Sequence, residues 1–163
     1  MNTSTNNQTG VLFVCLGNIC RSPLAEGIFI HLADERGVLD QFKIDSCGTG
    51  SWHVGDRADP RSIEIGRRNG VKVASVARQI NPRSDFQTFD LFIPMDRENH
   101  QTLLELGAPE EKVRLMRSFD PGLVGKKGNS LDVPDPYYGS GDGFARNFDM
   151  LMAACNGLLD ELL

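Results

Sequence analysis

A chain of 163 residues, 40% apolar and 24% charged, is one domain's length and has the composition of a globular protein that buries its core without disulfides. Its formal charge of −5 argues against a general nucleic-acid or acidic-membrane binder, but leaves room for a local anion site made of backbone dipoles and one arginine. No run approaches the ~18 apolar residues that a membrane span requires.

The first ten residues, MNTSTNNQTG, are polar, carry no lysine or arginine, and read as a frayed tail rather than a secretory signal. A single domain is therefore expected over residues 11–163, in the cytosol, with the four cysteines as free thiols. Residues 11–15 (VLFVC) form a short continuous apolar run, the pattern of a strand buried on both faces. Ser22-Pro23 predicts an N-cap followed by proline at the first helical position. Leu24, Ile28 and Leu32 then stack on one helical face, widened by Ala25 and Phe29, and Gly37 is the stop.

Further strands are expected over residues 42–46, 91–95 and 113–116, and helices over 60–69, 97–106 and from 143 or 144 to the end. Pro94 marks the end of pairing in the third strand, because it cannot donate to a ladder. The stretch 119–134 is rich in glycine and lysine, lacks periodicity and reads as a mobile surface loop. In the last helix Cys155 shares a stripe with Phe148, Leu151, Leu158 and Leu159, and reads as a small core residue. The alternation as a whole predicts an α/β fold, a three-layer sandwich of a parallel sheet with helices on its faces.

The informative segment is Cys15-Leu16-Gly17-Asn18-Ile19-Cys20-Arg21-Ser22-Pro23. Cysteine, five residues and arginine is weak as a spacing. Its setting makes it strong: the cysteine ends a buried strand and a capped helix begins at once. Such a junction aims backbone N–H groups and a helix N-terminus at one spot, which is an anion site. Gly17 permits a backbone geometry that other residues resist, and Asn18 tolerates a left-handed turn. The same field favours a thiolate, the nucleophilic form of cysteine. Arg21 offers a planar fork matched to two phosphate oxygens, and the Ser22 hydroxyl can donate to the sulfur when it leaves. A loop curled around an anion also brings Cys20 towards Cys15, so Cys20 is a candidate to capture an oxidised Cys15 as a disulfide, with Cys47 as the alternative.

A nucleophile of this kind needs an acid to protonate its leaving group. Three Asp-Pro pairs compete for that role, at Asp59, Asp120 and Asp135, each also a plausible turn. Asp135 is favoured by its neighbours Tyr137 and Tyr138, the only tyrosines, which suit a slot for a phenyl ring. Trp52 taken alone reads as a packing residue. His53 has no evident carboxylate partner and reads as a surface residue.

The loop resembles the V-C-x-G-N-x-C-R-S-P signature of the low-molecular-weight protein tyrosine phosphatases. The likeness continues through Ser46-Cys47-Gly48-Thr49, Trp52-His53-Val54-Gly55, Asp59-Pro60-Arg61, Ala77-Arg78-Gln79, Met95-Asp96, Asp135-Pro136-Tyr137-Tyr138-Gly139 and Gly143-Phe144. The resemblance implies four parallel strands with helices on both faces. It implies a phosphotyrosine-bearing protein as partner, with no cofactor and no metal. It implies Cys15 as nucleophile, Arg21 and the loop residues 16–22 as the phosphate cradle, and Asp135 as the acid. Asn18 and Ser46 would hold the loop, and Leu16, Trp52, Tyr137 and Tyr138 would line the substrate pocket. Two positions depart from the family: Cys47 stands in place of alanine, and Ser75 in place of a histidine.

Three rival readings remain in view. A thiol-linked arsenate reductase needs two further cysteines on a relay loop, and residues 78–92 contain none. A phosphoarginine phosphatase is associated with threonine where this loop has Ile19. A non-catalytic phosphocarrier would have no use for Arg21 together with Asp135.

Overall fold

The computed structural model describes residues 7–137 and 142–163. Strand β1 (Thr9–Cys15) is the centre of the sheet, flanked by β2 (Phe42–Gly48) and β3 (Leu91–Pro94) in the order β2-β1-β3, all parallel. Its alternation divides the core. Val11, Phe13 and Cys15 face α1 (Arg21–Glu35) and α5 (Gly143–Leu162), while Leu12 and Val14 face the side of α3 (Pro82–Thr88) and α4 (Arg97–Glu105). Helix α2 (Pro60–Arg68) packs on α1 and α5. A strand with both faces covered must be apolar throughout, which accounts for the VLFVC run.

Among the described residues the sheet has three strands rather than the expected four. Val113 makes one parallel bridge to Phe92, and the Arg114 N–H donates to the Phe92 carbonyl at 3.0 Å. Residues Met116–Phe119 then coil into a 3-10 turn, so the ladder stops after one residue. The first strand begins at Thr9, inside the expected tail, because the Gly10 backbone pairs in both directions with Asp90: N–H to carboxylate at 2.7 Å and carbonyl from N–H at 2.9 Å.

Helix α1 starts earlier than the Ser22-Pro23 pair suggests. Cys20 is its N-cap and Pro23 lies at the third helical position, still among the residues whose N–H has no partner within the helix. Ser22 is thereby free for other work. Gly37 stops the helix as expected, in the left-handed region at φ 69°. Helix α3 was not anticipated, although Asn81-Pro82 carries its signal: the Asn81 side chain accepts from the Arg83 N–H with proline next in line. The expected surface loop at 119–134 contains two short 3-10 turns, and at its return the Val133 N–H donates to the Met95 carbonyl at 2.8 Å. Among the described residues no helix is long and apolar enough to cross a membrane.

Helix α5 buries Phe148, Leu151, Cys155, Leu158 and Leu159, and approaches the 116–119 turn so closely that only glycine fits at Gly157. A Cβ there would lie 1.8 Å from the Phe119 carbonyl oxygen, a backbone atom that cannot swing aside. Gly157→Ala is expected to lower stability by about 1–3 kcal/mol despite alanine's better helix propensity. Urea denaturation reads this as a lower midpoint; an unchanged or higher midpoint would contradict the packing.

Candidate active site

The loop between β1 and α1 is shaped from outside. Thr49 and Gly50 donate backbone N–H bonds to the carbonyls of Cys15 and Leu16, each at 2.9 Å. Asp59 N–H donates to the Ile19 carbonyl at 2.7 Å, and the Ser62 hydroxyl to the Cys20 carbonyl at 3.1 Å. In a trans peptide, C=O and the following N–H point in opposite directions. Carbonyls held outward at 15, 16, 19 and 20 therefore turn the N–H groups of Leu16, Gly17, Cys20 and Arg21 to the concave side. Gly48 lets the loop lie this close, since a Cβ there would come within 2.7 Å of the Leu16 carbonyl oxygen.

Asn18 carries the left-handed turn, at φ 58°, whereas Gly17 has no positive φ. Gly17 instead lies close to His53: a Cβ would meet His53 Cδ2 at 3.1 Å, so the imidazole would have to shift by a few tenths of an ångström. The Arg78 N–H donates to Asn18 Oδ1 at 3.0 Å, which sets the orientation of the amide. Its Nδ2 then donates to Ser22 Oγ at 2.8 Å and to Ser46 Oγ at 3.0 Å. With an acceptor lone pair so used, the Ser22 hydroxyl can direct its proton at Cys15 Sγ, 3.0 Å away. The Asn18 N–H reaches the same sulfur at 3.3 Å.

Arg21 is 3% exposed, and its Nη1 donates to Asp96 Oδ2 at 2.7 Å and to the Val133 carbonyl at 2.8 Å. Burial opposes its charge, but Cys15, Asp96 and Asp135 outweigh that and push its pKa up. Nη2 lies 3.8 Å from Asp135 Oδ2 across the mouth of the site.

Cys15, Arg21 and Asp135 meet in a cavity of about 430 Å³ walled by Leu16, Ile19, Trp52, His53 and Tyr137. The other two Asp-Pro pairs are occupied elsewhere. Asp59 caps α2 and forks with Arg61, and Asp120 caps a 3-10 turn. Asp135 accepts from the Tyr137 N–H at 3.0 Å and keeps 39% of its side chain exposed. Trp52 is 73% exposed, with its ring over Gly50, where a Cβ would collide at 1.9 Å. Tyr138 lies outside the described residues. A cavity of similar size lined by Arg57, Arg67, Lys72 and Ser75 contains no cysteine.

Beyond Asn18, Ser22 and Ser46, the side chains that support the site carry no local signal in the sequence. Asp96, quoted only as part of a likeness, orients Arg21 and also caps α4 through the Asn99 N–H at 2.8 Å. His53 does have a carboxylate partner, Asp56, at 3.3 Å, and it faces the cavity. Arg78 anchors the Asn18 turn while paired with Asp45 and Asp85. Cys20 is buried beside Ile19, Ala77 and Phe144; burial, with the charges of Asp59, Cys15 and Asp135, pushes its thiol up to about 12. Cys47 is buried with Leu12 and Val14, in the core on the sheet face opposite to that of Cys15, and its thiol is also pushed up by burial.

Glu26 ends the hydrogen-bond chain, accepting from Ser46 Oγ at 2.5 Å. Ser75, at the position that departs from the family, puts its hydroxyl near this carboxyl without a well-formed hydrogen bond. Burial raises Glu26 from 4.5 to about 7, with Asp45 adding to the rise and the Ser46 bond and Arg78 opposing it. The unfolded chain thus loses this proton first as pH climbs, so Glu26 costs stability progressively between pH 4.5 and about 7 and evenly above. Glu26→Gln, which keeps an acceptor for Ser46, should gain on the wild type across that window, reaching on the order of 2 kcal/mol above it. Urea midpoints measured across the window test this; a difference independent of pH would refute it.

Known proteins share this arrangement over nearly the whole chain. The sequence profile of the family described as "Low molecular weight phosphotyrosine protein phosphatase" matches residues 10–163. A low molecular weight protein-tyrosine-phosphatase of Streptomyces coelicolor is 43% identical over 152 residues, covering 91% of this chain and 90% of its own. A low molecular weight phosphotyrosine protein phosphatase of Schizosaccharomyces pombe is 44% identical over 153 residues, covering 93% and 96%. Among solved structures, a protein tyrosine phosphatase from Entamoeba histolytica aligns with a TM-score of 0.86 at 38% identity, over 95% of this chain and 97% of that one. A Drosophila arginine phosphatase aligns with a TM-score of 0.83 at 31% identity, over 93% and 96%. The chain belongs to the low molecular weight phosphotyrosine protein phosphatase family.

Proposed function

We propose that this protein hydrolyses phosphotyrosine in proteins through a phosphocysteine on Cys15. One observation carries the reading: Cys15 Sγ lies at the base of a loop whose carbonyls are bound outward, with Arg21 and Asp135 in the same cavity. In the first step the thiolate forms the S–P bond as the P–O bond to tyrosine breaks, and Asp135 gives its proton to the departing oxygen. In the second, water attacks phosphorus, Asp135 takes a proton from it, and the S–P bond breaks to release phosphate. The Ser22 hydroxyl, 3.0 Å from the sulfur, stabilises the leaving thiolate. Arg21 and the inward N–H groups stabilise the equatorial oxygens in both steps.

Cys20 fits the same reading as a redox guard. Peroxide oxidises Cys15 to a sulfenic acid, and the Cys20 thiol displaces water from it to give a disulfide. Cys47 is the poorer partner, because its side chain packs in the core on the other face of the sheet.

Cys15→Ser should abolish turnover of phenyl phosphate while leaving phosphate binding, and chelation should leave wild-type activity unchanged. Asp135→Asn should lose ~10²–10⁴-fold with poor leaving groups and much less with acidic phenols, whereas Asp120→Asn stays near wild type. Steady-state kinetics with a series of aryl phosphates decides the matter. A larger defect in Asp120→Asn that varies with the leaving group would move the acid to the 119–134 stretch.

The likeness to an arginine phosphatase gives a second reading a specific basis. Ile19, buried at the cavity wall, presents an apolar side chain that suits a phenyl ring over the donor-rich guanidinium. Wild type should prefer phosphotyrosine over phosphoarginine peptides in kcat/KM, with the gap narrowed by Ile19→Thr. Equal efficiency on both substrates in the wild type would favour the second reading.

A further inference from the structure

Arg61 takes no part in the two steps above, yet three parts of the molecule meet on its guanidinium. Nε and Nη2 fork onto the Asp59 carboxylate at 3.0 and 2.9 Å. The guanidinium carbon lies 5.5 Å from the centre of the Tyr137 ring and 4.6 Å from that of Phe144. Nη2 also reaches the Tyr137 carbonyl at 3.4 Å.

Each contact leads to a different part of the site. Asp59 is buried, and its own N–H holds the Ile19 carbonyl, while Ser62 on the same turn holds that of Cys20. The N-terminus of α2 is thereby strapped to the phosphate loop. Tyr137 lies two residues after Asp135 and donates its N–H to that carboxylate. Phe144 belongs to the first turn of α5.

The chain before Asp135 is held at Val133, whose carbonyl accepts from Arg21, and at Pro134, whose carbonyl accepts from Asn147. Among the described residues, the Tyr137 N–H gives the one hydrogen bond to the side chain of Asp135 itself. It is partly exposed, and its approach to Arg21 at 3.8 Å is beyond hydrogen-bond length. A general acid has to come within hydrogen-bond reach of the leaving oxygen, so the Asp135–Tyr137 turn, referred to Arg21 on its Val133 side, also needs a reference to the phosphate loop at its Tyr137 end. The geometry points to Arg61 as that reference: a positioning residue that ties the turn, through Tyr137, to the phosphate loop, through Asp59. A planar fork that also stacks on rings suits the task, and lysine has neither property. The inference rests on Asp135 being the acid.

The test is kcat/KM over aryl phosphates from acidic nitrophenols to phenol, for Arg61→Ala, Arg61→Lys, Asp135→Asn and the Asp135→Asn/Arg61→Ala double variant. Arg61→Ala should lose about 10- to 10²-fold with phenyl phosphate and little with the most acidic leaving group, as expected of a misplaced rather than missing acid. Arg61→Lys should resemble Arg61→Ala. Inhibition by inorganic phosphate should stay within about twofold of wild type in both, since the loop keeps its other ties. In the Asp135→Asn background the Arg61 change should add no further loss that depends on the leaving group. If Asp135→Asn shows that dependence and Arg61→Ala loses equally with every leaving group, the inference alone falls. Wild-type behaviour in Arg61→Lys, or a further leaving-group-dependent loss in the double variant, also overturns it. An Asp135→Asn variant without the dependence removes the acid assignment, and the inference with it.

Discussion

The Asn18 side-chain amide is the contact on which the site's geometry depends. A left-handed backbone at a residue other than glycine costs on the order of 1 kcal/mol, and here it is held because the amide is bound at both ends. Its oxygen takes the Arg78 N–H and its nitrogen spans Ser22 and Ser46. Reversing the amide would set donor against donor at Arg78 and acceptor against hydroxyl oxygen at the serines. The orientation of one group thus occupies a Ser22 lone pair and leaves its proton for Cys15 Sγ at 3.0 Å or the Cys47 carbonyl at 3.5 Å.

Around that contact the charges are arranged against the chain's overall sign. The net charge is −5, yet the cavity has a buried guanidinium and backbone donors at its base. Inward N–H groups supply part of the field and the buried Arg21 supplies the rest. A guanidinium taken out of water needs a partner, and Asp96 serves at 2.7 Å. Because Asp96 also caps α4, the plane of Arg21 is referred to a helix end and not to a loose side chain. One Arg21 nitrogen is thereby committed to Asp96 and Val133, while the other looks towards Asp135.

Four cysteines in one small chain come to different ends because of where each is buried. Cys155 fills space in α5, its thiol pushed up by burial alone. Cys47 does the same on the far face of the sheet. Cys20 is raised by burial together with nearby negative charge. Only Cys15 ends a strand where a loop presents donors to its sulfur.

What the sequence by itself determined lies within short spans of chain. The strand, loop and helix of residues 11–37 were legible because apolar runs, a left-handed asparagine, helical spacing and a stop glycine all act between near neighbours. Cys15, Arg21 and Ser22 fall in that one segment. What lay beyond local reach was decided by packing. Three Asp-Pro pairs are alike as turns, and only the fold brings Asp135 to Arg21. The fourth strand failed because pairing needs a partner over several residues, and the chain after Val113 coils away. Asp96 meets Arg21 across 75 residues, and Arg78 meets Asn18 across 60. Periodicity and turn chemistry say which face a residue takes and where the chain bends. Which distant side chain it then touches is set when sheet and helices pack together, so the ties of Asp96 and Arg78 to the site, unlike the Cys15–Arg21 segment, were decided only by the tertiary structure.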